Sequence, residues 1–277
     1  MTLYEKRILR VLEYIHDNPA GDLSLDQLAD VAAMSRFHWH RVFHGMTGET
    51  CAQAVRRVRL HRAACWLVQK DWSIGEIAKK VGYPNVQSFT RAFRDGFGVS
   101  PGVFRKRGVI GAPPKLTPLE REKMFEVNVE QVEARRLAAT PHKGPYIEIG
   151  GAFEKISAIA GLRGLWPQVE GMVGVYYDDP NAVAEADLRS HAGLQISAAA
   201  AMPEGLEEVQ LPAGKHAVLL FKGPYAGLRS AYDYMFGEWV PKAAHELAHS
   251  PSYEVYLNSP ADTAPEELLT QICVPLV

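Results

Sequence analysis

The sequence has few cysteines and no long run of apolar residues. Its three cysteines, Cys51, Cys65 and Cys273, are scattered along the chain, a pattern that fits a reducing compartment and gives no metal-ligand spacing. No apolar stretch approaches the roughly 18 residues that span a bilayer, and the charged N-terminal residues are unlike a signal peptide. We therefore expect a cytoplasmic protein without a membrane partner. A phosphate loop and a dinucleotide fingerprint are absent too, so we expect no cofactor.

The small net charge of −2 conceals two unlike halves. Residues 1–107 carry 17 Lys and Arg against 10 Asp and Glu, a net charge of +7, whereas residues 108–277 carry 13 against 22, a net charge of −9. A basic half joined to an acidic half indicates that only one of them binds a polyanion.

The basic half contains an internal repeat. Residues 24–29 (SLDQLA) are echoed by residues 73–78 (SIGEIA), and four residues recur fifty positions later: Trp39, Arg41, Phe43 and Gly48 return as Phe89, Arg91, Phe93 and Gly98. Each copy begins with a capping-box pattern, breaks after about eight residues, and continues in a helix with an inward aromatic face. This order predicts a helix-turn-helix motif in each copy. In the turn, Ala33 stands where the second copy has Gly82, although glycine tolerates a left-handed conformation best.

The acidic half contains a second repeat. The segment Lys143-Gly144-Pro145-Tyr146 returns at residues 222–225, and residues 174–180 (GVYYDDP) align with residues 254–260 (EVYLNSP). Between these segments, each copy has the apolar spacing of a helix. Strand patterns precede the first segment and surround the second, so each copy is predicted to form strand, helix, strand and strand. Two such copies would pair and leave a groove where they meet.

The predicted fold class is therefore multidomain: an all-α tandem helix-turn-helix domain is followed by an α+β domain, a pseudo-twofold duplication of strand-helix-strand-strand. We place the helix-turn-helix domain at residues 1–107, a linker at residues 108–124 and the duplicated α+β domain at residues 125–277. The linker is predicted because residues 111–118 contain three prolines, which prevent a regular helix.

The basic half resembles the DNA-binding domain of the AraC/XylS family over roughly residues 5–107. The resemblance rests on Gly82-Tyr83, residues 88–94 (SFTRAFR) and residues 98–105 (GVSPGVFR). The acidic half resembles the GyrI-like effector-binding domain, on its repeated KGPY segment and residues 253–258 (YEVYLN). Together the two resemblances imply a transcriptional regulator that binds double-stranded DNA and a small-molecule effector, with RNA polymerase as a further partner. Because one chain carries both motifs, either a monomer or a homodimer is compatible.

The AraC/XylS resemblance implies that two recognition helices enter successive major grooves, about 34 Å apart. The residues carried over are Arg36, Phe37, His40 and Arg41 in the first helix, and Gln87, Ser88, Thr90 and Arg91 in the second. Arginine suits bidentate contact with guanine, and glutamine suits adenine. Alternatives remain open: the arginines could bind phosphate, Phe37 could be a core residue, and His40 with His44 could hold a metal.

The GyrI-like resemblance implies a ligand pocket that contains Glu254. Glu254 aligns with Gly174 of the other copy, so the carboxylate breaks the internal symmetry. Repeat symmetry places Tyr146, Tyr225, Tyr256 and Trp239 nearby. Aromatic rings around a carboxylate favour a flat or cationic organic ligand. The alternatives are that Glu254 lies on the surface opposite a lysine, and that the helical aromatics are core residues.

Two enzyme interpretations compete with this one, although we expect that the chain is not an enzyme. Residues His245-Glu246-Leu247-Ala248-His249 match the zinc-protease motif, but Pro241 and Pro251 bracket it where such a site needs an established helix. Alternatively, Glu254 could activate water in a small-molecule hydrolase, if its pocket raises its pKa.

Overall fold

The computed structural model describes residues 2–108 and 125–277, so the predicted linker lies outside the described residues except for Gly108. The described chain divides into two compact units. The first contains residues 2–33 and 47–108, and the second contains residues 34–46 and 125–277. Residues 34–46, which the sequence places in the DNA-binding domain, therefore cluster with the acidic half.

Seven helices occupy residues 2–108. In chain order they are α1 (Leu3–Asp17), α2 (Leu25–Ala32), α3 (Trp39–Thr47), α4 (Cys51–Gln69), α5 (Ile74–Lys80), α6 (Val86–Phe97) and α7 (Pro101–Arg107). All of α3 except its last residue belongs to the second unit. No helix in the described part of the chain combines the length and the hydropathy that a membrane crossing needs.

The repeated helices and turns form as predicted, but the predicted capping box is complete in only one of the two copies. Ser73 and Glu76 make a complete capping box at α5, whereas at α2 the Ser24 hydroxyl accepts the Gln27 backbone N–H and no reciprocal bond is formed. Both turns use a left-handed residue. Gly82 has φ of 79°, and Ala33 has φ of 51°, at a steric cost of about 1–2 kcal/mol for alanine.

The core of the first unit fixes the orientation of α6. Phe89 and Phe93 are fully buried and pack against α4, α5 and α7, as their spacing predicts. The ring of Phe93 lies edge-on to that of Phe104, with their centres 5.3 Å apart. The predicted α4 stripe of Leu60, Ala63, Ala64 and Leu67 belongs to the same core. One face of α6 therefore packs against the core, and the opposite face is exposed to solvent.

The second unit is built on one eight-stranded antiparallel sheet. Its strands are β1 (Val127–Val132), β2 (Arg135–Lys143), β3 (Val169–Tyr176), β4 (Arg189–Ile196), β5 (Glu207–Leu211), β6 (Gly214–Lys222), β7 (Ser252–Tyr256) and β8 (Leu269–Pro275). They lie in the order β1-β6-β8-β7-β3-β4-β2-β5. Helix α8 (Gly150–Leu162) follows β2, and α9 (Leu228–Tyr234) follows β6 and continues through a π-helical turn at Met235–Trp239.

The strand order has the predicted pseudo-twofold symmetry and confirms the fold class. One copy is β2-α8-β3-β4 and the other is β6-α9-β7-β8, and the symmetry axis passes between β3 and β7. The sequence pattern misses β1 and β5. Each outer strand pairs with the copy that it does not directly precede in the chain. Strand β1 precedes the first copy but pairs with β6 of the second, and β5 precedes the second copy but pairs with β2 of the first. Both are mostly exposed; β1 alternates only over Val127 and Val129, and β5 has five residues, so their period-two signal is weak.

The central strands present different residues to the two faces of the sheet, because side chains alternate along a strand. Val173, Val175, Tyr253 and Val255 contribute to the apolar core on one face. On the other face lie Gly174, Tyr176, Glu254 and Tyr256, and Tyr176 packs beside Ile149, which directly precedes α8. The candidate site is on this second face.

Candidate ligand cavity and DNA-reading helices

Gly174 and Glu254, which the repeat aligns, lie directly opposite each other in the β3–β7 pair. A Cβ atom at Gly174 would lie 2.8 Å from the Tyr256 hydroxyl oxygen and 2.9 Å from that of Tyr176, closer than atoms normally pack. Glycine in one copy therefore makes room for two tyrosine hydroxyls beside the carboxylate of the other copy.

The Glu254 carboxylate is buried, with 4% of the residue exposed. Tyr232 donates a hydrogen bond of 3.0 Å to Oε1, and Tyr256 donates one of 2.9 Å to Oε2. Tyr176 completes the network, since its hydroxyl lies 2.6 Å from that of Tyr256. Burial raises the pKa of Glu254, although the tyrosine hydrogen bonds and the positive charge of Arg41 oppose that rise. The alternative of a surface glutamate opposite a lysine is wrong.

The network opens into a cavity of about 850 Å³. Seven aromatic side chains line it: Tyr146, Phe153, Tyr176, Tyr225, Tyr232, Phe236 and Tyr256. Four of the five predicted site residues, Glu254, Tyr146, Tyr225 and Tyr256, are brought together there. Tyr176 was not predicted as a site residue, although it aligns with Tyr256 in the repeat. Nor were Phe153, Tyr232 and Phe236, whose helical spacing is that of ordinary core residues.

Trp239 is not among the described residues that line the cavity. It ends the π-helical turn that follows α9. The repeat aligns Trp239 with Ala160, which is buried in the core and does not line the cavity either, so this helix position does not reach the cavity in either copy. Phe236 and its aligned residue Ser157 both line the cavity, and Phe236 contributes the aromatic ring.

The rings are held edge-to-face in a symmetric set. Tyr146 lies against Tyr176 with ring centres 4.8 Å apart, and Tyr225 lies against Tyr256 at 5.5 Å. The Tyr146 hydroxyl accepts a hydrogen bond of 2.9 Å from the Asp178 backbone N–H, which fixes its ring. Because aromatic faces and a carboxylate both attract positive charge, this arrangement suits an organic cation. Both carboxylate oxygens of Glu254 already accept tyrosine hydrogen bonds, which suits binding better than activation of water.

Helix α3 contributes Arg41 to the wall of this cavity. The guanidinium donates hydrogen bonds of 3.2 Å to the Ser252 hydroxyl and 2.9 Å to the Asp178 carbonyl. Its central carbon lies 5.0 Å from the centre of the Tyr232 ring and 5.4 Å from that of Phe236. Arg41 is 9% exposed, so the expectation that it projects outward is wrong for this conformation.

His40 is also buried, at 4% exposure, and its Nδ1 lies 2.6 Å from Oδ2 of Asp179. Burial alone would raise the pKa of Asp179, but the His40 hydrogen bond and the Arg41 charge hold that pKa below its usual value. The physical reason for both burials is the same. The acidic half supplies hydrogen-bond acceptors that local sequence patterns do not reveal. The roles of His40 and Arg41 in DNA binding stay predictions.

Two further contacts hold α3 in place. His38 is fully buried, its Nε2 lies 2.8 Å from the Ser250 carbonyl oxygen, and burial lowers its pKa to about 3. The ring is therefore neutral. Gly45 packs directly on backbone, because a Cβ atom there would lie 2.6 Å from Cα of Gly237.

The other predicted residues of the first recognition helix lie just before α3. Arg36 is exposed, and Phe37 is half-buried with its ring 6.4 Å from that of Tyr177. No group of three potential metal ligands occurs in residues 2–108 and 125–277, and this includes the surroundings of His40 and His44.

Helix α6, the predicted second recognition helix, is exposed along the face that carries the predicted residues. Gln87 and Arg91 are exposed, and Ser88 and Thr90 are half-buried. Asn85 caps the helix by accepting the Ser88 backbone N–H at 2.8 Å. A groove of about 810 Å³ runs beside this face and is lined by residues of α4 and α6, among them Arg56, Arg59, Gln87, Ser88 and Arg91.

Residues 245–249, the match to the zinc-protease motif, are not helical. Leu247 instead forms an isolated β-bridge with Leu276. Residues four apart share a face only in a helix, so the two histidines lack the arrangement that zinc binding by this motif requires.

Comparison with known families identifies both halves of the chain. Residues 125–277 match a GyrI-like small molecule binding domain, and residues 28–107 match a helix-turn-helix domain.

Individual relatives resemble one half or the other. Over 96 residues the chain is 36% identical to the bifunctional transcriptional activator/DNA repair enzyme AdaA of Bacillus subtilis, covering 35% of this chain and 46% of AdaA. It is 35% identical over 88 residues to the probable transcription factor PqrA of Proteus vulgaris, covering 32% of this chain and 72% of PqrA. The crystal structure of the EcmrR C-terminal domain aligns with a TM-score of 0.46 and 16% identity, covering 56% of this chain and 99% of that domain. The chain spans 35–46% of the length of AdaA and two further curated regulators.

Proposed function

The chain belongs to the AraC-type helix-turn-helix proteins that carry a C-terminal GyrI-like small molecule binding domain, and on that premise we propose that it is a transcriptional regulator. It reads two successive major grooves of double-stranded DNA with two recognition helices and senses a small aromatic or cationic ligand. The observation that carries this proposal is the orientation of α6. Its aromatic residues Phe89 and Phe93 are buried, whereas Gln87 and Arg91 are exposed on the other side.

The exposed face of α6 has the chemistry of a base reader. Arg91 can donate two hydrogen bonds to the O6 and N7 atoms of guanine, and Gln87 can pair with adenine. Ser88 and Thr90 flank them, and the basic residues of α4 lie along the neighbouring groove. Because both recognition helices belong to one chain, a monomer can occupy two grooves. A cytoplasmic location follows from DNA as the partner, and RNA polymerase would be the further partner of an activator.

The cavity beside Glu254 is the proposed ligand site. A buried carboxylate costs free energy unless it is paired, and among the described residues only neutral hydroxyls donate to it directly. A cationic ligand would supply the missing charge and would stack on the surrounding rings. We propose sensing rather than catalysis, since both oxygens of Glu254 are already engaged by tyrosines.

The DNA half of this proposal is tested with the purified full chain. Sequencing the genomic fragments that the chain retains defines a cognate site, and fluorescence anisotropy then gives its affinity. We expect Arg91→Ala to weaken binding to the cognate duplex by about 1–3 kcal/mol and to leave binding to an unrelated duplex almost unchanged.

The control for this substitution is Arg163→Ala, which removes an equal charge from an exposed position in the second unit and should change neither affinity. Absence of sequence-selective binding by the wild-type chain would refute the proposed function. Equal losses on cognate and unrelated duplexes would mean that Arg91 contacts phosphate.

A further inference from the structure

We propose that Arg41 is an internal competitor for the ligand cavity: its guanidinium takes the place of an organic cation, and a bound ligand releases α3 to read DNA. This inference rests on the proposed function, because it needs both a cationic ligand and a DNA site. It identifies the element that couples them, namely helix α3, which carries predicted DNA-reading residues and also forms part of the cavity wall.

Arg41 already has the surroundings that a cationic ligand needs. Its guanidinium lies within cation–π distance of Tyr232 and Phe236. Both rings line the same cavity as Glu254, and the charge of Arg41 favours the ionised form of that carboxylate. An organic cation that stacks on these rings beside Glu254 would therefore compete with Arg41 for the same contacts.

Docking of α3 and reading of DNA by α3 exclude each other. The two terminal nitrogens of the Arg41 guanidinium donate to Ser252 and Asp178, and His40 is bound to Asp179. A guanidinium that is buried and held in this way cannot also reach a base edge in a major groove. In the docked conformation α3 therefore cannot contact DNA bases, whereas the proposed DNA-binding face of α6 stays exposed.

The docked contacts are of a kind that can be exchanged. Arg41 donates to a hydroxyl and to a backbone carbonyl, both neutral acceptors, and desolvation of the buried guanidinium offsets much of what these bonds contribute. The helix also approaches the sensor through the small residues Gly45 and Gly237, so no large apolar side chain has to be withdrawn at that point. A modest free-energy difference between docked and released states is what a ligand can overcome.

The test is a calorimetric titration of the full chain with tetraphenylphosphonium, an aromatic cation. Arg41→Ala removes the competitor, and Gly45→Ala keeps the guanidinium but places a methyl group 2.6 Å from Cα of Gly237, which forces α3 out. If α3 is docked in about 90% of molecules, both variants should bind the cation about tenfold more tightly than wild type. Gly75→Ala is the matched control, because its Cβ would meet only the side chains of Val86 and Ser73, at ordinary distances of 3.6 and 3.9 Å. Thermal unfolding monitors whether each variant is folded.

DNA binding provides the second measurement. Tetraphenylphosphonium should raise the affinity of the wild type for its cognate duplex, and Gly45→Ala should bind that duplex more tightly without the ligand. Equal cation affinities of the wild type, Arg41→Ala and Gly45→Ala would overturn this inference. Lowered DNA affinity in the presence of the cation would overturn it as well. In both cases the proposed function would survive if DNA and cation still bind, whereas absence of cation binding to every variant would refute the sensing function too.

Discussion

Replacing Glu254 by glutamine removes one negative charge from the cavity and keeps the shape of the side chain. The amide oxygen can still accept from one tyrosine and the amide nitrogen can donate to the other hydroxyl oxygen, so the Tyr232 and Tyr256 positions are preserved. The measured change therefore reports the charge.

The magnitude follows from Coulomb's law. A cation about 5 Å from the carboxylate, at an effective dielectric constant of about 20, gains roughly 3 kcal/mol. The tyrosine hydroxyls already take up part of that charge, and the raised pKa of Glu254 means that protonation competes with the cation. We therefore expect Glu254→Gln to weaken tetraphenylphosphonium binding by about tenfold to a hundredfold, or about 1.4–2.8 kcal/mol.

Isothermal titration calorimetry with two ligands tests this expectation. Triphenylphosphine oxide has a related shape but no net charge, so its affinity should change by less than about threefold. Glu148→Gln, at an exposed position, serves as the control for loss of an acidic group. Unchanged affinity for the cation, or equal losses for the cation and the neutral molecule, would refute the role assigned to the carboxylate.

Three further predictions concern the same site. Burial raises the pKa of Glu254, and a cation prefers the ionised carboxylate. Cation affinity of the wild type should therefore rise with pH through that raised pKa and then level off. An equally steep rise of cation affinity with pH in Glu254→Gln would contradict this prediction. By the same linkage, the neutral carboxyl favours the fold, so the stability contributed by Glu254 is present below its ordinary pKa and is lost as pH rises through the raised value. Gly174→Ala should push apart the hydroxyls of Tyr176 and Tyr256 and destabilise the second unit by about 1–3 kcal/mol; a melting temperature equal to that of the wild type would show that the packing around Gly174 is loose.

Much of this architecture could be predicted because both halves are internal repeats. The duplicated KGPY segment predicted the pseudo-twofold symmetry that the strand order around β3 and β7 shows. The repeated serine caps predicted where α2 and α5 begin. Glu254 stood out since it breaks a symmetry that is otherwise maintained. An interruption of a repeat is thus informative when the aligned residues lie face to face, as Gly174 and Glu254 do.

The features that were not predicted depend on which side chains reach the cavity, on weak strand patterns or on distant contacts. Apolar spacing alone does not tell which helix positions line the cavity, so Trp239 was predicted and Phe236 was not, although Phe236 and its aligned residue Ser157 both line it. The outer strands β1 and β5 are short and mostly exposed, and their apolar residues do not alternate over enough positions to indicate a strand. The burial of Arg41 results from acceptors more than a hundred residues away along the chain, and no local pattern encodes such a contact.

In the proposed mechanism one chain binds both DNA and a small cation, and the two binding equilibria are coupled. Thermodynamic linkage requires that each ligand changes the affinity of the other by the same factor. Tetraphenylphosphonium affinity measured with and without saturating cognate duplex tests this directly. We predict that the duplex strengthens cation binding by the same factor by which the cation strengthens duplex binding. Cation affinity that is identical with and without the duplex would contradict the account.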